Sequence, residues 1–390
     1  MSGIYLHIPF CKQACYYCDF HFSASLKRKP ELAEALAQEL ILRKNEIREP
    51  LQTIYFGGGT PSILTIDELR FLMDTIYNNY QVSINPEITL EANPDDLSSI
   101  ASGKKDKIKG LKDLGINRLS IGIQSFFDED LQFMNRAHSS EEARNCLSLA
   151  TQYFDNTSID LIYGIPGLTS ERWKKNLEIA LSYNIPHISS YALTVEPRTA
   201  LHNFIEKGKI APLEDSLSKE HYLILLDSMK SAGYTNYEFS NFSKEGYFSI
   251  NNTAYWQGKS YLGIGPSAHS FNGTIRSWNI SNNIKYIKSI NKSELPFESE
   301  TLSISDRYNE YIMTGLRTMW GVSLKKIEKD FGNKYVDYLI QQIKKPIEDG
   351  MLKIISSENK TDKDLIGKIV ITDKGRFLSD GIASNLFWID

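Results

Sequence analysis

HIPFCKQACYYCDF, residues 7–20, places three of the chain's four cysteines within eight positions. Cys11, Cys15 and Cys18 follow a C-x3-C-x2-C spacing, directly after the apolar, strand-like run IYLHI (4–8). Zinc sites usually pair two C-x2-C units, or add histidines at fixed spacing, to complete four ligands. Here position 20 is Phe20, and Cys146 lies far along the chain in the helical pattern EEARNCLSLA. Three thiolates without a fourth suit a [4Fe–4S] cluster that leaves one iron open to another ligand. A zinc ion borrowing His7 or His21, or simply buried thiols, are the alternatives that spacing leaves standing.

The rest of the composition sets the compartment. Of 390 residues, 41% are apolar and 24% charged, as in ordinary globular proteins. A net charge of -4 and a pI near 6.0 give no global attraction to nucleic acid or anionic lipid. No run of about 18 apolar residues exists to span a bilayer, and His7, Pro9 and Lys12 interrupt any leader-like core. A cytoplasmic location follows as the expectation. Thiols stay reduced there, so clustered cysteines point to metal or catalysis rather than to disulfides.

Working outward, strand-like runs recur: IYLHI (4–8), TIYF (53–56), EITLEA (87–92), RLSIGI (118–123), TSIDLIY (157–163) and HISSYAL (187–193). Amphipathic segments such as PELAEALAQELILRKNEI (30–47) and TIDELRFLMDTIYNN (65–79) lie between them. Six strand–helix units in order predict an α/β fold, a partial (β/α)6 barrel with parallel strands. Such barrels place their chemistry at the C-terminal ends of the strands. The cysteines follow the first strand, GGGTPS (57–62) the second, and Glu91 and Asn93 end the third. Gln124 ends the fourth, Asp160 and Tyr163 lie at the fifth, and Tyr191 and Glu196 follow the sixth.

Each of these residues has a plain reading. A triple glycine is often only a tight turn, though it also allows close backbone approach to a ligand. A lone Glu91 is normally a solvated charge; at a barrel mouth it can meet a ligand's ammonium or hydroxyls. Arg136 can be a surface ion pair. Asp160 within an apolar strand is harder to dismiss, because an unpaired buried carboxylate is costly. His138 is as well explained by structure as by function.

The cysteine spacing, with Tyr17 before the last cysteine, resembles the radical S-adenosylmethionine (SAM) superfamily. That resemblance implies a [4Fe–4S] cluster held by Cys11, Cys15 and Cys18, with SAM on its open iron. It further implies cofactor contacts from Tyr5, Tyr17, Gly58, Gly59, Thr60, Glu91, Gln124, Arg136 and Asp160. The stretches YLHIPFC (5–11), YFGGGTPS (55–62), LEANP (90–94), GINRLSIGIQSF (115–126), NRAHS (135–139), IDLIYGIPG (159–167) and SSYALTVEPRTAL (189–201) narrow it. With YEFSNFSKEG (237–246), YWQGKSYLGIGPSAHSF (255–271) and MTGLRTMWGVSL (313–324), they look like the oxygen-independent coproporphyrinogen III oxidase family over nearly the whole chain.

That family holds coproporphyrinogen dehydrogenases and HemW-type heme chaperones. The dehydrogenases carry a further cysteine where this chain has Phe20, and an extension before the cluster, whereas Cys11 here lies ten residues in. Both features favour the chaperone branch; oxidative decarboxylation of porphyrinogen propionates is the competing activity, and no residue is singled out as catalytic. The chaperones resemble one another in an HNxxYW motif associated with heme. Here Asn252, Tyr255 and Trp256 match, but Asn251 replaces the histidine, leaving His269 as the nearest substitute ligand. The implied partners are heme or porphyrin, an electron donor such as flavodoxin or ferredoxin, and recipient apo-hemoproteins. No nucleic acid is expected, and a homodimer and transient membrane association stay open.

Past residue 300, SDRYNEYIMTGLRT (305–318), SLKKIEKDFG (323–332) and NKYVDYLIQQIKKPIEDG (333–350) read as helices. MLKIIS (351–356) and KIVIT (368–372) read as strands joined by SENKTDKD, with a final helix from near Asp373. The set resembles a winged helix without a basic recognition helix, so packing or partner docking is expected rather than DNA binding. Three units result: a barrel over 1–210, an extension over 211–300 and a mostly helical, winged-helix-like module over 301–390.

Overall fold

The computed structural model describes residues 2–97, 104–355 and 367–389. The first half runs β1 (Ser2–Ile8), α1 (Lys29–Leu42), β2 (Leu51–Gly58), α2 (Ile66–Asn79), β3 (Val82–Ala92), α3 (Pro94–Leu97) and α4 (Lys104–Asp113). It continues through β4 (Arg118–Gln124), α5 (Asp128–Phe133), α6 (Ser140–Tyr153), β5 (Thr157–Tyr163), α7 (Ser170–Ser182) and β6 (His187–Ala192). Strands β1 to β6 pair in sequence order, each parallel to the next. The partial barrel is thus present, with each strand within a few residues of its expected run.

Strand residues alternate between two environments. Ile4, Leu6, Ile8, Ile54, Phe56, Leu90, Leu119, Ile121, Ile159 and Leu161 are fully buried with the helix residues Leu36, Leu40, Leu69 and Leu72. Each such side chain contributes roughly 1.5–3 kcal/mol by leaving water, which makes this jacket the main source of stability. The opposite parity carries Tyr5, His7, Thr53, Tyr55, Glu87, Thr89, Glu91, Arg118, Asp160 and Ser189, and faces the concave side. A barrel filled only for stability would place branched apolar residues there. This interior is built for polar contact.

Helix ends follow their residues. Thr65 with Glu68, and Ser139 with Glu142, form capping boxes that start α2 and α6. Helix α1 stops at Leu42 rather than running to residue 47. Arg43 there turns its buried guanidinium to Glu39 (3.1 Å), Glu46 (2.8 Å) and the Gly263 carbonyl (3.0 Å).

The middle segment comprises α8 (Ala200–Glu206), α9 (Asp215–Ser231), β7 (Thr235–Asn236), β8 (Asn241–Ser243), α10 (Ile250–Trp256) and β9 (Ser260–Ile264). It ends with β10 (His269–Phe271), β11 (Ile275–Asn279), α11 (Asn283–Ile290) and β12 (Phe297–Thr301). β9 adds to β1 in parallel, and β8 adds antiparallel to β6, so the barrel strands sit within one twelve-stranded sheet. Helix α10 starts against the N-terminal side of the barrel. Glu87 accepts the Ile250 and Asn251 N–H groups at 3.0 and 2.9 Å, and forms a floor.

The last part holds α12 (Ile304–Leu316), β13 (Val322–Ser323), α13 (Leu324–Phe331), α14 (Asn333–Gln342) and α15 (Lys344–Glu348). β14 (Leu352–Ile354), β15 (Lys368–Ile371) and α16 (Ser379–Ser384) complete it around a second apolar cluster centred on Tyr308, Ile312 and Leu339. Its sheet has three strands in the order β13-β15-β14, one more than the sequence pattern suggests. β13 has only two residues, too few for a periodicity. Gly321 makes it possible: at φ 64°, it brings the backbone so close to the Ile369 carbonyl that a Cβ there would clash. The final helix begins at Ser379 rather than near Asp373, and SENKTDKD lies outside the described residues.

Candidate functional site

The loop after β1 carries all three clustered cysteines, partly buried and free of disulfides. Thr60 donates its hydroxyl to the Cys11 sulfur at 3.3 Å, and Arg136 Nη1 donates to the Cys15 sulfur at 3.3 Å. Asn93 joins these donors: its Nδ2 donates to Thr60 Oγ1 at 3.2 Å and its Oδ1 accepts from Arg136 Nη2 at 2.8 Å. Arg136 also reaches the Gly122 carbonyl at 3.0 Å and the Tyr17 hydroxyl at 3.5 Å. Burial pushes the Cys18 thiol up to about 11, against an opposing hydrogen bond from the backbone at Phe20, and the other two sulfurs add to the rise. A cationic centre is what such crowded thiols need in order to ionise together.

Among the described residues no set of three or more His, Cys, Asp or Glu groups surrounds a single metal ion. A cubane takes its three thiolates on three different irons, so its cysteines stand farther apart than the ligands of one ion. Donors to sulfur and an absent fourth thiol fit that group. Phe20 is 68% exposed, and Cys146 is buried in α6 within the jacket.

The glycine run lies against the cluster loop, and its main constraint is local. A Cβ on Gly59 would fall 2.7 Å from the Phe10 carbonyl, and Gly58 sits at φ 109° facing the His7 ring. On Gly57 a Cβ would strike Tyr5 and Tyr55 at 2.8 Å each. Glu91 accepts from Tyr55 at 2.7 Å and from the Gly58 N–H at 3.2 Å. Burial, with Asp160 adding, lifts its carboxyl to about 7 despite those two donors. Asp160 rises to about 6 by burial, opposed by a Ser189 hydrogen bond. Two carboxyls titrating near neutrality therefore share the concave face.

Tyr5 is turned to His7, its hydroxyl 3.1 Å from Nδ1, while His7 Nε2 lies 2.9 Å from the His21 carbonyl. Burial lowers His7 to about 4, so a neutral imidazole links β1 to the far end of the cysteine loop. Gln124 ends β4 at φ 64°, its amide beside Gly122, Arg136 and Asn93. His138 sits buried with Nε2 3.0 Å from the Ile123 carbonyl, its charged form opposed by burial down to about 3. Asn93 and His7 are the contributors that pattern reading did not assign to the cofactor site. Asn93 shares the parity of Glu91 two residues earlier, which is the sequence signal that marks it.

The heme candidates divide among separate neighbourhoods. Asn251 is buried at the floor and accepts from Thr53 at 3.1 Å, and Tyr255, one turn on, packs edge-on against Tyr261 at 4.5 Å. Asn252 and Trp256 fall on another face of α10, with Trp256 5.5 Å from the Arg317 guanidinium carbon. His269 lies on β10 beside Trp278, their rings 6.1 Å apart.

The radical SAM superfamily profile matches residues 5–193, and the HemN C-terminal domain profile matches residues 302–358. Coproporphyrinogen III oxidase (HemN) from Escherichia coli, described as a radical SAM enzyme, superimposes with a TM-score of 0.82 at 23% identity. That match covers 99% of this chain and 90% of that one, and shows the shared fold. A parallel six-strand barrel with three cysteines on the loop after its first strand thus defines a radical SAM protein.

The heme chaperone HemW of Bacillus subtilis is 34% identical over 357 residues, 90% of this chain and 93% of that protein. The heme chaperone HemW of Lactococcus lactis is 33% identical over 384 residues, 98% of this chain and 96% of that protein. The chain belongs to the HemW family. No helix among the described residues is long and apolar enough to cross a membrane.

Proposed function

We propose that this chain is a heme chaperone: a cytoplasmic radical SAM protein that binds heme and delivers it to apo-hemoproteins. The observation that carries the reading is 33–34% identity to heme chaperones over 90–98% of the chain. In this reading Cys11, Cys15 and Cys18 hold a [4Fe–4S] cluster that, when bound, offers SAM an open iron and an electron from a flavodoxin- or ferredoxin-like donor.

The chain's own residues prepare that site. Arg136 and Thr60 place donors on two of the sulfurs, which lowers the cost of thiolate charge. Asn93 sets their mutual position. Tyr5 holds the His7 ring, and Gly57 to Gly59 let the second strand approach the loop. Gly58, Gly59, Thr60, Glu91, Gln124 and Asp160 edge the space assigned to SAM, with Tyr17 held by Arg136. Phe20, exposed at the position where the dehydrogenases carry another cysteine, supports the chaperone over the enzyme.

Anaerobic reconstitution followed by parallel assays tests this. Saturable heme binding with transfer to an apo-hemoprotein, and no vinyl product from coproporphyrinogen III with SAM and a reductant, is the expected result. Turnover of the porphyrinogen that depends on SAM and the cluster overturns it.

A further inference from the structure

A cavity of about 490 Å³ opens in the seam between the barrel edge and the C-terminal module, within the roughly 300–1,000 Å³ range of ligand pockets. One wall is the loop after β7, with Glu238 and Phe239; the other comes from the end of α12, β15 and the turn after it. Four cationic side chains, Arg317, Lys353, Lys374 and Arg376, line it against two acidic ones, Glu238 and Asp373. Burial raises Glu238 to about 7, so even that negative charge is partly neutralised near neutrality.

Each of the two arginines pairs with an exposed carboxylate, and Arg376 Nη1 also donates to Asn236 Oδ1 on the facing wall. Arg317 pairs with Asp380 at 2.7 Å, whose side chain is 63% exposed, and Arg376 lies 3.4 Å from Asp373, which is 90% exposed. Exposed pairs of this kind are worth little, so a ligand carboxylate replaces them at small cost. The Arg317 Nε has no hydrogen-bond acceptor among the described residues.

Flat aromatic surface adjoins these charges. Phe239 and Trp256 each lie 5.5 Å from the Arg317 guanidinium carbon, which ties the YW motif of α10 to this cavity. Met319 also lines the cavity, and its backbone N–H is fixed to the Tyr237 carbonyl at 2.9 Å. It is the lining residue with a sulfur donor, and a thioether is a heme-iron ligand.

From this placement we infer that the seam is the seat of the heme, with its propionates on Arg317 and Arg376 and its iron facing Met319. The inference rests on the heme-chaperone reading and gives that ligand a location away from the Asn251 position.

Hemin and hemin dimethyl ester are titrated into the reconstituted full chain and followed at the Soret band. Wild-type protein is expected to bind the ester at least about tenfold more weakly, since a charge-assisted hydrogen bond is worth about 1.5–3 kcal/mol. Arg317→Gln with Arg376→Gln should erase that preference, and Met319→Leu should move the Soret maximum. Arg376→Gln alone keeps Arg317 against Phe239 and Trp256, gives up the bond to Asn236, and should lose part of the preference in a folded protein. Equal binding of acid and ester, an unchanged preference in the double variant, or an unmoved Soret band in Met319→Leu overturns the placement while the chaperone reading stands. Failure of the wild-type chain to bind hemin at all defeats that reading and this one together.

Discussion

The floor and the mouth of the barrel are made by the same strands, yet they satisfy their buried polar groups in opposite ways. At the floor, Glu87 accepts from Ile250, Asn251 and the Ser249 hydroxyl, while Thr53 donates to Asn251, so donors and acceptors close on one another. At the mouth, Thr60 and Arg136 spend their donors on sulfur, with Asn93 holding them in register. A closed network steadies the fold. Donors aimed at thiols favour a charge that only a bound metal centre makes permanent. Damage to the floor should therefore appear as lost stability, and damage to the mouth as lost cofactor.

The largest effect tests the mouth. Cys11→Ala, Cys15→Ala and Cys18→Ala are each expected to abolish the cluster by iron and sulfide analysis, whereas Cys146→Ala, in the jacket, keeps it. Cluster loss in the Cys146 variant breaks the comparison.

The floor supplies the next effect. Glu87→Ala leaves two backbone N–H groups and a hydroxyl without their acceptor, at a cost of about 3 kcal/mol in urea denaturation. Iron per folded chain should not change. A stable variant lacking its cluster shows instead that the two ends are coupled.

Arg136→Gln sharpens the account of the mouth. Removing a buried cation beside Cys15 disfavours the added electron, so the cluster's reduction potential should fall and its loss in air accelerate. Arg136→Lys keeps the charge and should restore part of the potential, though it loses the paired contacts to Asn93 and Gly122. Identical behaviour of both variants excludes the charge as the cause.

The smallest effect concerns Glu238 at the seam, a carboxyl with no cation bonded to it among the described residues. Burial lifts it from the ordinary 4.5 to about 7. The folded state thus prefers the proton, and the associated stability is present below about pH 4.5 and disappears as pH rises through 7. Glu238→Gln should flatten the stability profile across that window. An undiminished slope places the titration elsewhere.

Much of the mouth was legible because its chemistry is local. Three cysteines in one loop, glycines after a strand, and Glu91 and Asn93 within three residues of each other are set by spacing along the chain. The six strands were legible for a similar reason, since each alternates apolar and polar residues against a helix that follows it. Fine boundaries were less so: α1 ends early because Arg43 finds partners more than two hundred residues away at Gly263 and Ser270.

What only the folded chain decided are the contacts between distant segments. β9 lies parallel to β1 although some 250 residues separate them, and no periodicity announces that pairing. The HNxxYW-like segment reads as one motif, yet helical geometry divides it, sending Asn251 and Tyr255 toward the floor and Trp256 toward Arg317. Sequence by itself determined which residues carry chemistry and which strands bear them, because periodicity and ligand spacing act over a few residues. Tertiary structure decided which of those residues meet, because burial, and with it the choice of partner for each polar group, belongs to the packed whole.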